Sequence, residues 1–300
     1  MCKGAAIKKQ YEERIIAIEA GLKRKREKEQ AAQKEAAITL ASQSVSLTRY
    51  RNAQSIMRSP LFATKHPRNG RQFEPIEFTS SDNSVHIKVT PNTAHGMPDQ
   101  IDGNILRLTI SKAREIKLKT GYTPETVEFS RYKILKALGK TDSSRDYKWL
   151  IGALDRLSST YYSGHIFKKN EHFGATLISY YDSKGSDGVV RVAIKLHEML
   201  RDYIDDDKSV LAIAESIIKA KSNLQIRLHE LVQIHIGNKN VWQISLEKLK
   251  KLCASNRQIK HFKADVTNSK IPYKIDFSKN RDKDVIVTFQ TIGLTGLFGL

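Results

Sequence analysis

The chain has 300 residues, 40% of them hydrophobic, enough to bury the cores of one large or two medium domains. Its 51 Lys and Arg outnumber its 32 Asp and Glu, a formal net charge of +19 that points to a polyanionic partner, nucleic acid first. No run approaches the roughly 18 apolar residues of a membrane span, Met1 to Gly4 lead into charge rather than an apolar signal core, and Cys2 and Cys253 have neither disulfide-framework nor zinc-ligand spacing. A cytoplasmic protein with no membrane association, no metal and no cofactor is expected.

Residues 1–40 are rich in Lys, Glu, Gln and Ala. Their few large apolar residues, Ile7, Tyr11, Ile15, Ile18 and Leu22, recur three or four apart, which predicts one helical stripe without a core of its own. The stripe suits pairing with a second copy, so a homodimer is one expectation. Lys23 to Arg26, interleaved with Glu27 and Glu29, reads as a solvated helix face. From Arg49 to Arg71 six basic residues stand without an acidic one, broken by Pro60, Pro67 and Gly70, which predicts an extended basic linker.

Folded structure is expected from about Glu74, with a hairpin over Ile76 to Val89 and a helix from about Ile101 to Thr120. A short strand, Thr126 to Phe129, leads to Ser130 as N-cap of a helix that Gly139 ends. The next helix, about Ser144 to Tyr162, carries the most information. At 100° per residue Tyr147, Leu150, Ile151, Leu154, Leu157 and Tyr161 share one side, whereas Arg145, Lys148, Trp149, Gly152, Arg156 and Ser159 share the other. Strand-like runs at Phe173 to Tyr181 and Val189 to Leu196 follow, joined by a turn-rich loop. Helix, helix, two-stranded ribbon is the order of a winged helix, in which the second helix enters the major groove.

The order recurs. Asp205 to Asp207 reads as a solvated turn rather than a metal site, because no converging partners are evident. Beyond it come a helix at Ser222 to Ile236, a strand at Trp242 to Ile244, a Ser245-capped helix to Leu252, a helix from about Asn256 to Val266, and a ribbon of Tyr273 to Phe277 with Val285 to Phe289. A shift of 112 superposes Arg145 on Arg257 and Lys148 on Lys260, with Leu150 on Phe262 and Leu154 on Val266 inside. The expected fold class is therefore α+β: a helical or flexible extension at 1–55, a first winged helix at 56–204 and a second at 205–300.

Three passages resemble a known family: Ser59-Pro60-Leu61-Phe62; Gly96-Met97-Pro98-Asp99-Gln100-Ile101-Asp102-Gly103-Asn104-Ile105-Leu106; and Tyr147-Lys148-Trp149-Leu150 with Ala153-Leu154-Asp155-Arg156-Leu157. Over about residues 55 to 290 the chain resembles the replication initiators (initiator protein A type) of bacterial plasmids. The resemblance implies binding to direct repeats (iterons) of double-stranded DNA at a plasmid origin, origin opening, recruitment of the host replicative helicase and host initiator, and autoregulation. A transcriptional regulator would share the contacts and lack the opening. An RNA-binding basic protein would need exposed aromatics on a sheet or RGG-like tracts.

Contact chemistry follows from residue types. Arg145, Lys148, Arg156, Arg257, Lys260 and Lys263, with Trp149 and His261, are expected on the two reading helices, where cations reach phosphates or guanine edges. Lys168, Lys169, Lys184, Lys279, Arg281 and Lys283 are expected on the wings. Lys168 and Lys169 read equally well as an exposed turn before the wing. Trp149 suits either a sugar or thymine methyl, or a packed interface. No enzyme is expected: no two of the nine histidines have the spacing a nicking site needs, and no Gly-rich phosphate loop is present.

Overall fold

A computed structural model describes residues 3–44, 47, 49–64, 73–80, 85–168, 170–184 and 188–292. The Lys/Glu/Ala-rich start is one helix, α1 (Lys3–Ser44). Residues 19–37 of it are exposed; the Lys34 ammonium lies 4.7 Å from the Tyr122 ring centroid, and Ile38 and Ala41 pack on Ile116.

The segment expected as a basic linker folds. β1 (Tyr50–Ala53) and α2 (Gln54–Arg58) are followed by buried Leu61 and Phe62, and Ala53, Ile56 and Met57 fill the same core. The basic residues alternate with apolar ones: Arg58 stays in solvent and Arg51 pairs with Glu115 at 2.5 Å, so burial of the apolar set outweighs the flexibility that composition suggested. Its Lys65 to Arg71 stretch lies outside the described residues.

β2 (Ile76–Thr79) and β3 (His86–Thr90) form the expected hairpin, and α3 (Gly103–Thr120) is buried along most of its length. β4 (Thr126–Ser130) feeds α4 (Arg131–Ala137), then α5 (Ser144–Ser159). Ser130 and Ser143 cap the two helices by accepting from the Lys133 and Asp146 amides. α5 stops earlier than periodicity predicts, because Tyr161 and Tyr162 enter a strand, β5 (Tyr161–Gly164), with Tyr162 fully buried. Gly164, at φ +117°, lets β5 lie against β3, since a Cβ there would sit 1.9 Å from the His86 carbonyl oxygen.

β6 (Phe173–Ala175) completes a four-stranded antiparallel sheet in the order β2-β3-β5-β6, and β7 (Ile178–Lys184) with β8 (Val190–Leu196) completes β4-β8-β7. Next come α6 (Glu198–Asp205), a 3-10 turn (Asp207–Ser209), β9 (Val210–Ile213) paired with β1, and α7 (Glu215–Lys219). The last part holds α8 (Asn223–Ile236), β10 (Val241–Ser245), α9 (Leu246–Leu252), α10 (Ile259–Thr267), β11 (Tyr273–Lys279) and β12 (Val285–Thr291), with sheet order β10-β12-β11. The architecture is α+β.

Among the described residues, 39 buried hydrophobic side chains from Ala53 to Ile226 form one core and 12 from Leu228 to Phe289 form another. α8 spans both, with Ile226 in the first and Leu228 in the second. No helix among the described residues is long and apolar enough to cross a membrane.

Candidate nucleic-acid interface

One unit of structure occurs twice. β4, α4 and α5 begin at 126, 131 and 144; β10, α9 and α10 begin at 241, 246 and 259, an offset of 115 each time. The β7–β8 hairpin, 178–184 and 190–196, recurs as β11–β12, 273–279 and 285–291, an offset of 95. The strand register repeats as well: Val127 faces Ile194 as Trp242 faces Phe289, and Ile178 faces Leu196 as Tyr273 faces Thr291. The first unit is longer by 20 residues, which supply the longer α5 and the strands β5 and β6. The offset of 112 expected from sequence is thus one helical turn short. Arg145 corresponds to Lys260, and Lys148 to Lys263, rather than Arg145 to Arg257.

In each unit, the hairpin tip and the start of the helix pair lie at the same end of the sheet, because Ser130 pairs with Arg191, itself opposite Ser183, and Ser245 pairs with Ile286, opposite Ser278. Arg145, Lys148, Lys260, His261 and Lys263 are exposed on α5 and α10, as is Lys184 at the end of β7. Lys279, Arg281 and Lys283 are exposed around the second tip. That tip is ordered by the Asn280 side chain accepting from the Asp284 amide at 2.8 Å, with Lys283 at φ +67°. Trp149 is half-buried against the larger core, and the Lys140 ammonium lies 3.8 Å from its ring centroid.

Several expected contact residues sit elsewhere. Arg156 turns inward: it is 7% exposed and gripped by the Asp102 carboxylate at 2.7 and 2.8 Å, so it holds α5 to the body and offers no cation to a ligand. Helical period places it on the basic face beside Arg145, and the acid that draws it inward lies 54 residues upstream, so no local signal marked it. Lys168 lies between β5 and β6, away from the β7–β8 hairpin, and pairs with Glu171 at 2.8 Å. Lys169 lies outside the described residues. Arg257 precedes α10 and is half-buried, its Nε 3.0 Å from Asp265.

Sequence reasoning placed the helices before α5 and α10 but missed the cations they expose. Lys133 and Lys136 on α4 are exposed, and their counterparts at the offset of 115, Lys248 and Lys251 on α9, are exposed too. The paired serine caps at 130 and 245 already mark the two helices as equivalent, and comparing the lysines that follow each cap would have singled these four out. Arg131 ion-pairs with Asp182 at the base of the first hairpin tip.

The Thr123 hydroxyl and then Lys117 (3.0 Å) hold the Asp205 carboxyl below its usual range, and Arg114 (2.5 Å) does the same for Asp207. Among the described residues no group of three His, Cys, Asp or Glu stands together as a metal would require. The strongly perturbed groups are structural. Burial brings His229 down to about 4 and pushes the Cys253 thiol up to about 12. Burial likewise lowers Lys112 to about 8, where its ammonium donates to the Glu128 carbonyl and lies 4.7 Å from the Phe129 ring centroid.

The chain is 28% identical over 261 residues to a "Putative replication protein" of Wigglesworthia glossinidia brevipalpis, covering 82% of this chain and 90% of that one. Its fold is similar to domains 2 and 3 of RctB, with a TM-score of 0.54 at 13% identity over 80% of this chain and 98% of that one. The family described as Replication initiator protein A matches residues 51–270, from the start of β1 to the loop before β11. The chain belongs to the replication initiator protein A family.

Proposed function

We propose that the chain initiates replication of a plasmid by binding double-stranded DNA repeats at the origin through two winged-helix modules. The carrying observation is the repeated strand-helix-helix-hairpin unit, with cations exposed on the second helix and at or beside the hairpin tip in both copies. In this reading α5 and α10 each lie in a major groove. Arg145, Lys148, Lys260 and Lys263 reach bases or phosphates, Lys184, Lys279, Arg281 and Lys283 reach the flanking backbone, and Lys133, Lys136, Lys248 and Lys251 grip phosphates.

Opening of the origin, recruitment of the host helicase and host initiator, repression of the chain's own promoter and action as a homodimer complete the proposal. The chain itself catalyses no reaction in it. Family membership supports the initiation role, and the net charge of +19 supports the polyanionic partner.

Footprinting on the replicon that encodes the chain tests this reading. Protection of tandem repeats beside an AT-rich segment is expected, whereas an isolated promoter palindrome would make the chain a regulator instead. Affinity should fall by about three to five decades between roughly 50 and 200 mM salt if about six to ten phosphates are engaged. An affinity indifferent to salt would end the nucleic-acid reading.

A further inference from the structure

The passage Gly96 to Asn104 is absorbed by neither unit's contact surface, yet it is almost wholly buried and densely bonded. Asp99 and Asp102 cap each other: the Asp102 amide donates to Asp99 Oδ1 at 2.9 Å and the Asp99 amide to Asp102 Oδ2 at 3.1 Å. On one side Asp102 holds Arg156 of α5 by both carboxylate oxygens. On the other side Asn223, at the start of α8, donates to Asp99 Oδ2 at 3.2 Å and accepts from the Ile101 amide at 3.0 Å.

A second strut runs parallel. Gln100 accepts from Arg107 at 2.7 Å, and Arg107 donates to both oxygens of Glu230 on α8 at 2.8 and 2.7 Å, with both members of that ion pair 1% exposed. α8 in turn shares its core with α10, Leu228, Leu231 and Val232 lying in the same buried cluster as Phe262 and Val266. One turn therefore ties α5 to the helix that carries α10. Hydrogen bonds keep their strength only within a narrow angular range, so a joint built from them fixes orientation in a way that sliding apolar surfaces do not.

We propose that the Asp99–Asp102 turn is a joint that sets the angle between the two reading helices, and thereby the base-pair spacing that one chain accepts between the two stretches of DNA it contacts. The proposal rests on the two-module DNA reading above. Asp99, Asp102 and Asn223 are positioning residues in it, acting through α5 and α8.

The test exchanges the two groups that meet across the joint. Asn223→Asp sets two carboxylates against each other, and Asp99→Asn leaves its amide nitrogen facing a backbone N–H or the Asn223 amide. The double variant D99N/N223D restores the three bonds among residues 99, 223 and the Ile101 and Asp102 amides, with the roles of 99 and 223 reversed. Inserting one base pair between the two protected stretches turns one relative to the other by about 35°, and should cost the parent protein at least about tenfold in affinity, or ~1.4 kcal/mol. The penalty should fall below about threefold, or ~0.7 kcal/mol, in either single variant and return in the double variant.

Spin labels at Lys136→Cys on α4 and Lys251→Cys on α9, in a Cys2→Ser background that leaves the buried Cys253 unlabelled, read the same joint without DNA. Their distance distribution should be narrow in the parent, broad in the single variants and narrow again in the double. Asn223→Ala is the milder substitute if the charged single variants do not fold. Single variants with the parent's spacing penalty and distance distribution would overturn the proposal. Broadened distances in a protein that protects no paired stretches would leave the joint standing and remove the two-module DNA reading.

Discussion

The two repeated units share one strand register and differ in what surrounds it. In the first, α5 runs 16 residues, and the added strands β5 and β6 join the β2–β3 hairpin, so the unit shares the larger core with α2, α3 and the strands around them. In the second, α10 runs 9 residues and the sheet shares its core with α8, α9 and α10, with 12 buried hydrophobic side chains in its cluster among the described residues. A unit with so small a core depends on what it is fastened to. Part of the fastening is polar, Arg107 to Glu230, Asn223 to Asp99, and Arg227 donating to the Met57 carbonyl oxygen at 2.7 Å, beside the apolar insertion of Ile226 into the larger core.

The comparison is broken most strongly at that fastening. Arg107→Ala leaves the buried Glu230 carboxylate without its ion-pair partner, holding only the Asn52 amide at 2.6 Å, and should cost about 3 to 5 kcal/mol in denaturant unfolding; a loss near zero would show the second unit to be stable without its anchor. The next effect belongs to the second unit. His229 titrates near 6.5 when unfolded and at about 4 when folded, so unfolding takes up a proton between those values. Stability is intact above pH 6.5 and declines as the pH falls toward 4, by up to ~3 kcal/mol. His229→Gln should flatten that slope, and an unchanged slope would reassign it to other groups.

Contact residues come next in size. Arg145→Ala and Lys260→Ala occupy equivalent places, and each should cost about 1 to 3 kcal/mol on a specific site with relaxed specificity at different positions. Arg156→Ala should instead lower stability and leave the pattern of base preference as it was. Equal losses on random DNA would make Arg145 and Lys260 phosphate contacts.

The smallest effect sharpens the match between units. Gly139 follows α4 at φ +66°, and its counterpart at the offset of 115 is Ala254 at φ +47°. Ala254→Gly should stabilise the protein by about 0.5 to 1 kcal/mol by relieving a left-handed alanine; a thermal midpoint that falls would mean that the alanine methyl packs usefully.

Much of this was legible in the sequence where the signal is local. The serine caps, the glycine after α4 and the two turn-rich hairpins depend on residues a few positions apart, and both repeated units were visible from them. Exposure on one face of α5 was legible too, since Arg145 and Lys148 follow from helical period alone. The span from Arg49 to Thr64 was not, because its apolar residues have meaning only against a core supplied by α3 and α8. The strands β5 and β9 were hidden for the same reason, as their partners lie about 75 and about 160 residues away.

What the sequence determined by itself was the strongly basic character of the chain, the strand-helix-helix-hairpin order and the fact that this order occurs twice, all consequences of composition and short-range periodicity. Only the tertiary structure decided which cations of the basic α5 face are drawn inward. Arg156 looks like a contact residue until Asp102, 54 residues earlier, is brought within 2.7 Å of it, and burial of both charges then makes the pair worth keeping only if neither is left alone.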